Sequence, residues 1–427
     1  MRNPNLIDKL HAQLPAPARR LLDNLLRLAG QQDVPLFLVG GPLRDLLLDR
    51  PAFDLDIAIE GDAIALARDL ADATGGCAVT HPRFGTAAVG LGEFHLDLIT
   101  ARSETYGRPG VLPTVEPATI REDLLRRDFT INAVALRLNG PQRGEILDPA
   151  GGLADLDARL VRALHERSFQ DDATRILRAF RYARRLDFEI EGRTLEWLRR
   201  DIAYLRKISP ARIHGEMLRV LAEPDPAAVL LELNSIGALR MIHRDLRFGL
   251  VQAQAMREVR RRYEYFSLAG WVLLTWPESS EGAARLSWRL RLSALQREAI
   301  ARVPRLLELR PSLSRPGLKA SEMHDILRGF GGPELWPFAA IEGGIVRERI
   351  LSYLRTRSTK TELDGNDLIA LGVPPSKLIG EILHRLRAAK LDGEVKTRHD
   401  EERLVRRLME RAPAEKTPLP AHPESLP

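Results

Sequence analysis

One stretch near the N-terminus constrains the fold most: Leu38-Val39-Gly40-Gly41-Pro42-Leu43-Arg44-Asp45, followed by Phe53-Asp54-Leu55-Asp56-Ile57. It predicts a strand that ends in two glycines, a short helix, and a second strand in which Asp54 and Asp56 share a face. Side-by-side carboxylates repel unless a cation lies between them, and Mg²⁺ prefers such oxygen ligands. Glycines at a helix start let the backbone approach a phosphate closely. The stretch therefore predicts metal-assisted chemistry on a nucleotide.

Composition narrows the class of protein. The 427 residues include 64 Lys and Arg against 58 Asp and Glu, a formal net charge of +6, which permits a polyanionic partner. A single cysteine, Cys77, excludes a disulfide framework and a Cys-based zinc site and favours a cytoplasmic setting; we expect it to be buried. No apolar run approaches the roughly 20 residues that span a bilayer, so no membrane association is predicted. The P-loop and HExxH motifs are absent.

Strand and helix patterns divide the chain at about residue 145. Alternating apolar residues predict strands at Leu36–Val39, Phe53–Ile59, Ala87–Leu91 and His95–Ile99, with a helix around Ala63–Ala73. Residues 33–145 are therefore predicted to form a small α/β domain, preceded by a short amphipathic helix within residues 1–32. Beyond Asp148 the apolar spacing is helical throughout, and the proline-rich residues 413–427 are predicted to be disordered.

Two segments after the strands combine charge with apolar residues. Arg126-Arg127-Asp128-Phe129-Thr130-Ile131-Asn132-Ala133 places two arginines and an aspartate at the entry to an apolar helix. Asp128 there could fix the guanidinium groups or accept a hydrogen bond from a ribose hydroxyl, and the alternative is a plain salt-bridged helix start. Asp148-Pro149-Ala150-Gly151-Gly152-Leu153-Ala154-Asp155-Leu156 is typical of a turn followed by a capped helix, and we interpret it as a linker between domains.

Two later segments have helical spacing. Asp172, Arg175, Arg178 and Arg181 are three residues apart and would lie along one helix face. A carboxylate and a guanidinium on one rigid face could recognise the hydrogen-bonding edge of a base, although a solvated salt-bridge ladder is the commoner meaning of such a row. In the second segment, Ser209 to Leu218, the spacing favours a simple stabilising pair between Arg212 and Glu216.

The order of these motifs resembles the class II tRNA nucleotidyltransferase/poly(A) polymerase family, within the polymerase β-like nucleotidyltransferases. The likeness covers Val39 to Leu218, and Leu363-Asp364-Gly365-Asn366-Asp367-Leu368 extends it. The resemblance implies an α+β fold: a nucleotidyltransferase head followed by all-helical neck, body and tail domains. The implied domains are an N-terminal helix (1–32), a catalytic head (33–145), a nucleotide-selecting neck (146–225), a body (226–350), a tRNA-binding tail (351–412) and a disordered end (413–427).

The resemblance also implies residue roles. Asp54 and Asp56 would be the catalytic, metal-binding carboxylates for Mg²⁺, and Asp97 lies where a further carboxylate could support them. The nucleotide-binding residues are divided by the part of the nucleotide they would contact: Gly41, Arg44 and Arg127 at the triphosphate, Asp128 near the ribose, Asp172 and Arg175 at the incoming base, with Arg178 and Arg181 in support. The implied reaction adds C and/or A from CTP or ATP to the tRNA 3′-hydroxyl without a nucleic-acid template and releases pyrophosphate.

Two departures from the family pattern bear on this activity. Asp171-Asp172 stands where the family usually has Glu-Asp, and the segment from Arg102 to Arg126, centred on Tyr106 to Gly110, is somewhat shorter than in full CCA-adding relatives. The shorter segment raises the alternative of a CC-only or A-only enzyme, with a partner enzyme completing the end of the tRNA. Two further alternatives are a bacterial poly(A) polymerase and a non-catalytic RNA-binding protein on a transferase fold. The expected partners are the acceptor end and upper half of tRNA, with CTP and/or ATP.

Overall fold

A computed structural model describes residues 4–51, 55–264, 266–276 and 279–411. The predicted catalytic residue Asp54 and the predicted disordered end, 413–427, lie outside the described residues. The chain divides into two compact units, residues 1–253 with 285–292, and residues 254–284 with 293–427. The further division into head, neck, body and tail stays a prediction.

The secondary structure is mixed, and all strands within the described residues lie in the first half of the chain. The strands are β1 (Leu36–Val39), β2 (Leu55–Ile59), β3 (Cys77–His81), β4 (Thr86–Leu91), β5 (Phe94–Thr100), β6 (Arg102–Thr105), β7 (Thr114–Pro117), β8 (Ala135–Arg137), β9 (Ile146–Leu147), β10 (Leu160–Val161) and β11 (Glu189–Ile190). The helices of the first unit are α1 (Pro4–Gln13), α2 (Ala16–Gln31), α3 (Gly40–Leu47), α4 (Ala63–Thr74), α5 (Ile120–Leu125), α6 (Gly152–Asp157), α7 (Ser168–Asp171), α8 (Thr174–Leu186), α9 (Gly192–Asp201), α10 (Pro210–Ala222), α11 (Pro226–Ser235) and α12 (Ala238–Ile242). The helices that follow are α13 (Leu250–Arg262), α14 (Phe266–Thr275), α15 (Ser280–Arg289), α16 (Ala294–Ser314), α17 (Ala320–Leu327), α18 (Gly332–Glu342), α19 (Gly344–Thr356), α20 (Gly365–Ala370), α21 (Lys377–Leu391) and α22 (Arg398–Arg411). Single turns of 3-10 helix lie at Pro82–Phe84 and Thr130–Asn132, and a longer one lies at Ile202–Lys207.

A seven-stranded sheet with the order β3-β4-β5-β2-β1-β8-β9 forms the centre of the first unit. The β2–β5 pair is parallel, and the other neighbours in this sheet are antiparallel. The predicted strands are confirmed at β1, β2, β4 and β5, and the predicted helix at α4. The predicted α+β class, with a sheet in the N-terminal part and helices after it, is confirmed.

The two faces of the sheet carry different cores because successive side chains in a strand alternate. Leu36, Leu38 and Ile57 pack on one face against helices α1, α2 and α4. Phe37 and Ala58 point to the other face and pack with residues of α5 and β8. The parity of β2 therefore places Asp56 on the second face, which carries the smaller core.

The N-terminal helices complete the first core. Leucines predicted to line one face of a short amphipathic helix, among them Leu21, Leu22 and Leu25, are buried against the sheet. Residues 4–31 thus pack as part of the same core as the α/β domain. The expectation that Cys77 is buried is wrong: it begins the edge strand β3, where alternate side chains face solvent, and it is exposed.

The other regular elements among the described residues are helices, apart from two short two-stranded sheets. One is the hairpin of β6 and β7, and the other is a parallel pair formed by β10 and β11. In the second unit, α16 to α19 surround a core that includes Leu306, Phe338 and Ile350. A separate small core joins α20, α21 and α22 around Leu368, Leu386 and Val405.

Candidate active site

All but one of the predicted site residues that the structure describes line one cavity of about 700 Å³ in the first unit. Those on its wall are Gly41, Arg44, Asp56, Arg127, Asp128, Asp172, Arg175 and Arg178. Arg181 is not on the wall. Residues that the sequence did not single out for this site also line it, including His95, Glu104, Asn132 and Tyr182.

The chain turns at Gly40, where β1 ends and α3 begins. Its φ of +71° lies in a region that L side chains rarely adopt. A Cβ at this position would lie 3.1 Å from Nη1 of Arg127 and 3.4 Å from Oδ2 of Asp56. Gly40 therefore lets the backbone pass beside a predicted phosphate-binding arginine and a predicted metal-binding carboxylate. Gly41 is the next residue on the cavity wall.

Two carboxylates stand next to each other on the central strands. Asp56 of β2 and Asp97 of β5 are direct partners in the parallel register, so their side chains leave the same face of the sheet. Both line the cavity. Carboxylate oxygens are the ligands that divalent Mg²⁺ prefers, so this pair fits such an ion. Within the described residues, which exclude Asp54, no group of three or more acidic, His or Cys side chains is arranged to hold a metal.

Arg44 is fixed in the cavity wall by three neighbours. It is 2% exposed, and it donates to Oδ1 of Asp45 at 2.8 and 2.9 Å and to Oδ1 of Asn132 at 2.9 Å. Its guanidinium carbon lies 5.2 Å from the centre of the Tyr182 ring. These contacts hold a positive charge in one orientation, which suits a contact with phosphate oxygens.

Asp123 holds the two neighbouring arginines that precede Asp128. A capping box between Thr119 and Glu122 starts α5 and so places Asp123 one turn before Arg127. The Asp123 side chain is fully buried, and its carboxylate accepts from Arg126 at 2.5 Å and from Arg127 at 2.8 Å. Burial acts to raise the pKa of Asp123, but the two guanidinium groups outweigh it, and the pKa lies below its ordinary value of 3.8.

Replacing Asp123 by Asn is expected to lower the free energy of unfolding at pH 7 by about 3–5 kcal/mol, because two arginines lose a buried countercharge. The depressed pKa means that this stabilisation is present above the unfolded-state pKa and is lost as pH falls through the folded-state pKa. Urea titrations at pH 7 and at successively lower pH measure both effects. The difference in the free energy of unfolding between wild type and D123N should shrink below about pH 4, the range in which an aspartate ordinarily titrates. The control is Glu116→Gln, at an exposed position on β7. A gap that grows on acidification would contradict the assignment.

The segment from Arg102 to Arg126 begins with the hairpin of β6 and β7. Glu104 of the hairpin accepts from Arg126 at 2.7 Å and, through its other oxygen, from the Tyr106 hydroxyl at 2.8 Å. Burial raises the pKa of Tyr106 above its ordinary value, so this hydroxyl stays protonated and can donate. At the tip, Gly110 has a φ of +86°, and a Cβ there would lie 2.8 Å from the carbonyl oxygen of Lys207. The short hairpin therefore runs from the cavity wall to the 3-10 helix at Ile202–Lys207.

Asp128 forms a buried pair with Arg178. Its Oδ2 lies 2.5 Å from Nη2 of Arg178, and its Oδ1 accepts from the Phe129 amide and from Asn132. Burial acts to raise the pKa of Asp128, but Arg178 and the Asn132 hydrogen bond outweigh it, and the pKa is lowered. The pair is thus ionised and joins the turn after α5 to helix α8. The apolar helix expected after Arg127 is wrong: the chain forms only a 3-10 turn at Thr130–Asn132.

Asp172 and Arg175 stand at the start of α8, each with its own partners. Asp172 follows α7, and its Oδ1 accepts from the backbone amide and hydroxyl of Thr174. Arg175 is buried and donates to the Ser168 hydroxyl at 2.7 Å and to the carbonyl oxygen of Arg126 at 2.8 Å. Both residues line the cavity. The carboxylate and the guanidinium are therefore fixed in place before any nucleotide binds.

Arg212 contacts Asp172, which the sequence did not predict. Its Nη2 lies 2.5 Å from Oδ2 of Asp172, whereas Glu216 interacts with Arg181 and Arg219. The expected Arg212–Glu216 pair is therefore wrong. Arg212 lies near the start of α10, and its long side chain contacts Asp172 and Thr174 at the start of α8 and not Glu216 on its own helix. This contact joins the segment around Ser209 to the predicted base-selecting carboxylate.

Arg181 lies behind the cavity wall. It is 5% exposed and contacts Glu223 at 3.4 Å and Glu216 at 3.8 Å. Its guanidinium carbon lies 4.8 Å from the centre of the Tyr182 ring, which Arg44 and Arg178 also approach. This position suits a residue that supports Tyr182 and α8 and does not itself contact a nucleotide.

The turn and capped helix predicted after Asp148 are confirmed. The Asp148 carboxylate accepts from the amides of Gly152 and Leu153 at the start of α6. Gly152 packs so closely that a Cβ would lie 2.2 Å from the carbonyl oxygen of Thr130. Asp155 accepts from the Thr130 hydroxyl at 2.6 Å, so α6 is attached to the turn that carries Asn132.

Comparisons with known proteins agree with this geometry. Residues 36–162 match the family described as the poly A polymerase head domain, and residues 187–248 match the probable RNA and SrmB-binding site of polymerase A. An A-adding tRNA nucleotidyltransferase of Halalkalibacterium halodurans is 31% identical over 93% of this chain and 94% of its own length. The chain belongs to the tRNA nucleotidyltransferase/poly(A) polymerase family.

Other members of this nucleotidyltransferase family differ in the activity they are named for. A CC-adding tRNA nucleotidyltransferase of Deinococcus radiodurans is 33% identical over 94% of this chain and 96% of its own length. An A-adding tRNA nucleotidyltransferase of Geobacter sulfurreducens is 33% identical over 96% of this chain, which spans only 49% of that relative. The solved structure of a Thermotoga maritima CCA-adding enzyme complexed with tRNA has a TM-score of 0.77 at 29% identity, covering 94% of this chain and 98% of that chain.

None of the helices within the described residues is both long enough and apolar enough to cross a membrane.

Proposed function

We propose that this protein adds C and/or A from CTP or ATP to the 3′-hydroxyl of tRNA, without a nucleic-acid template, and releases pyrophosphate. The observation that carries the proposal is the single cavity in which a carboxylate pair, fixed arginines and the Asp172–Arg175 pair come together. The names of the full-length relatives support tRNA as the acceptor. A tRNA substrate and a single cysteine support a cytoplasmic location.

Asp54 and Asp56 would hold Mg²⁺, with Asp97 beside them on the next strand. When bound, two such ions would stabilise the attacking and leaving oxygens of an in-line displacement at the α-phosphate. The parallel register that pairs Asp56 with Asp97 supports this part of the proposal, since it brings two carboxylates to one face of the sheet. Asp54 stands two residues before Asp56 in the sequence, and its place on the same face stays a prediction from that spacing.

Arg44 and Arg127 would bind the triphosphate. Both are positioned by carboxylates, Arg44 by Asp45 and Arg127 by Asp123, so their guanidinium groups are oriented before the nucleotide arrives. Such preorganisation lowers the cost of ordering side chains on binding. Gly40 and Gly41 would allow the backbone to approach the phosphates at the start of α3.

Asp172 and Arg175 would select the base by hydrogen bonding to its Watson–Crick edge. Cytosine and adenine each offer an exocyclic amine that donates and a ring nitrogen that accepts, and a carboxylate beside a guanidinium matches that pair. Guanine and uracil present a carbonyl oxygen and an N–H at these positions, and a buried unmatched polar group costs about 1–3 kcal/mol. Asp128, ionised beside Arg178, would accept from the ribose, and Arg181 would support α8.

A poly(A) polymerase is the second candidate because the head match carries that description. Both candidates would use the same carboxylates and arginines, so the cavity does not separate them. The two candidate enzymes differ in the RNA that accepts the nucleotide and in the number of nucleotides added before addition stops. A non-catalytic RNA-binding protein would have no use for the preorganised arginines and carboxylates of the cavity.

The test uses three tRNAs that end before CCA, after the first C, and after CC, each given labelled CTP, ATP or both. Addition of C to the first two and A to the third shows a complete CCA-adding enzyme. C without A shows a CC-adding enzyme, and A only on the third shows an A-adding enzyme with a partner that supplies CC. Long A tails show a polymerase, and the absence of any incorporation with Mg²⁺ present would contradict the proposal.

A further inference from the structure

Trp288 is a large apolar side chain that is mostly exposed to solvent. It is 77% exposed, whereas Trp271 is fully buried. Residues 285–292 belong to the first unit although much of the surrounding chain belongs to the second. Exposure of one indole does not identify a binding partner. The backbone that carries Trp288, its charged neighbours and the adjacent surface indicate which partner it could bind.

The backbone beside Trp288 is anchored. Arg289 donates to the carbonyl oxygens of Leu205 and Ile208, at 3.2 and 2.9 Å, and to that of Ile242 at 2.9 Å. Nδ1 of His214 donates to the carbonyl oxygen of Leu290 at 2.8 Å. The neighbours Leu286 and Leu290 are buried. The indole is thus presented from a fixed base, which reduces the ordering cost of a partner that binds it.

The charges around Trp288 favour a polyanion with flat rings. Arg285 lies one helical turn before Trp288 on α15, and Arg291 follows the end of that helix at Arg289; both arginines are exposed. Arg285 also contacts Asp245 at 3.1 Å, and Arg244 lies 3.7 Å from the same carboxylate. Aromatic side chains with nearby guanidinium groups bind single-stranded RNA by stacking on bases and pairing with phosphates.

The adjacent surface points to the same partner. Residues Leu205, Ile208, His214 and Ile242, which anchor the segment, all lie within residues 187–248, the part that matches a probable RNA-binding site. Trp288 lies outside that match, but the next two residues, Arg289 and Leu290, form hydrogen bonds with residues inside it. The segment that carries Trp288 is therefore attached to the part of the chain with the RNA-binding match.

We propose that Trp288 is a stacking platform for an unpaired base of the RNA substrate, with Arg285 and Arg291 contacting the phosphates on either side. The inference rests on the proposed function for the identity of the RNA. It adds a specific binding residue outside the cavity that carries out the transfer.

The test compares W288A, W288L and W288F in the full-length protein, with a truncated tRNA as the ligand. Base stacking on an aromatic ring predicts that W288A weakens tRNA binding by about tenfold or more. W288L should match W288A, because it keeps an apolar side chain without an aromatic face, whereas W288F should stay within about threefold of wild type. Leu250→Ala, at a side chain that is 71% exposed, is the control and should bind as wild type does.

Tryptophan fluorescence gives a second readout. Addition of tRNA should quench the wild-type emission and protect it from acrylamide, and both changes should be smaller in W288F. The KM for ATP or CTP should be the same in all variants. If the wild-type protein bound no tRNA, the proposed function itself would be contradicted. If the wild type and W288A bound tRNA with equal affinity, only the stacking role of Trp288 would be overturned. Full binding by W288L, or a change of oligomeric state in W288A with unchanged tRNA affinity, would also overturn it and indicate an apolar protein contact.

Discussion

Replacing Asp56 by Ala is expected to lower nucleotide incorporation into truncated tRNA by on the order of 10³-fold or more. The carboxylate lies on the cavity wall beside Asp97 and Gly40, and no other described group replaces its oxygens at that point of β2. The affinity for tRNA should stay within about threefold of wild type, because RNA binding depends mostly on phosphate contacts. Single-turnover incorporation and equilibrium tRNA binding, measured on the same preparation, separate the two effects.

The control for Asp56→Ala is Asp72→Ala, which removes an exposed carboxylate on α4 of the same unit. It should leave both incorporation and binding unchanged. Incorporation by the Asp56 variant at more than a tenth of the wild-type rate would contradict the metal-ion assignment. A parallel loss of tRNA affinity would instead indicate that the substitution disturbs the fold.

The second large effect is expected at Asp172. Substituting Asn keeps the size of the side chain but turns one acceptor into a donor and removes the negative charge that pairs with Arg212. The preference for CTP and ATP over UTP and GTP should fall by about 10- to 100-fold, the range that corresponds to one unmatched buried polar group. Competition among the four labelled triphosphates on one tRNA measures this preference directly.

The adjacent Asp171 supplies the matched control. Its carboxylate lies 3.7 Å from Nε2 of His165 and is not on the cavity wall, so Asp171→Asn should keep the wild-type preference. Arg212→Ala should resemble Asp172→Asn in a weaker form, since Asp172 keeps its hydrogen bonds from Thr174. If Asp171→Asn altered the preference as much as Asp172→Asn, the base-selecting role would belong to the segment as a whole and not to Asp172.

The sequence predicted the strands whose apolar residues line a core. β1, β2, β4 and β5 each bury at least one face, and the apolar residues that do so are visible in the sequence. β8 and β9 were not predicted because three and two residues are too short to show alternation. The hairpin strands β6 and β7 consist mainly of polar residues, so their pairing has no apolar pattern to reveal it.

The predicted site residues that line the cavity occur in compact motifs, whereas the contacts that hold them in place join segments that are distant in the sequence. Asp123 precedes the predicted arginines and is distinguished only by complete burial between them. Arg212 and Asp172 are 40 residues apart, and a nearer acidic residue, Glu216, offered a misleading helical partner. The pairing of Asp56 with Asp97 follows from strand register, which the order of strands along the chain does not give.

The measurement that tests the central claim most directly is incorporation from each of the four labelled triphosphates into tRNAs ending before CCA and after CC, with Mg²⁺ and no nucleic-acid template. Wild-type protein is predicted to add C, A or both, to stop at or before the completed CCA end, and to add almost no U or G. Asp56→Ala should add none of the four at a comparable rate. Equal use of all four nucleotides, long A tails, or full incorporation by the Asp56 variant would contradict the account.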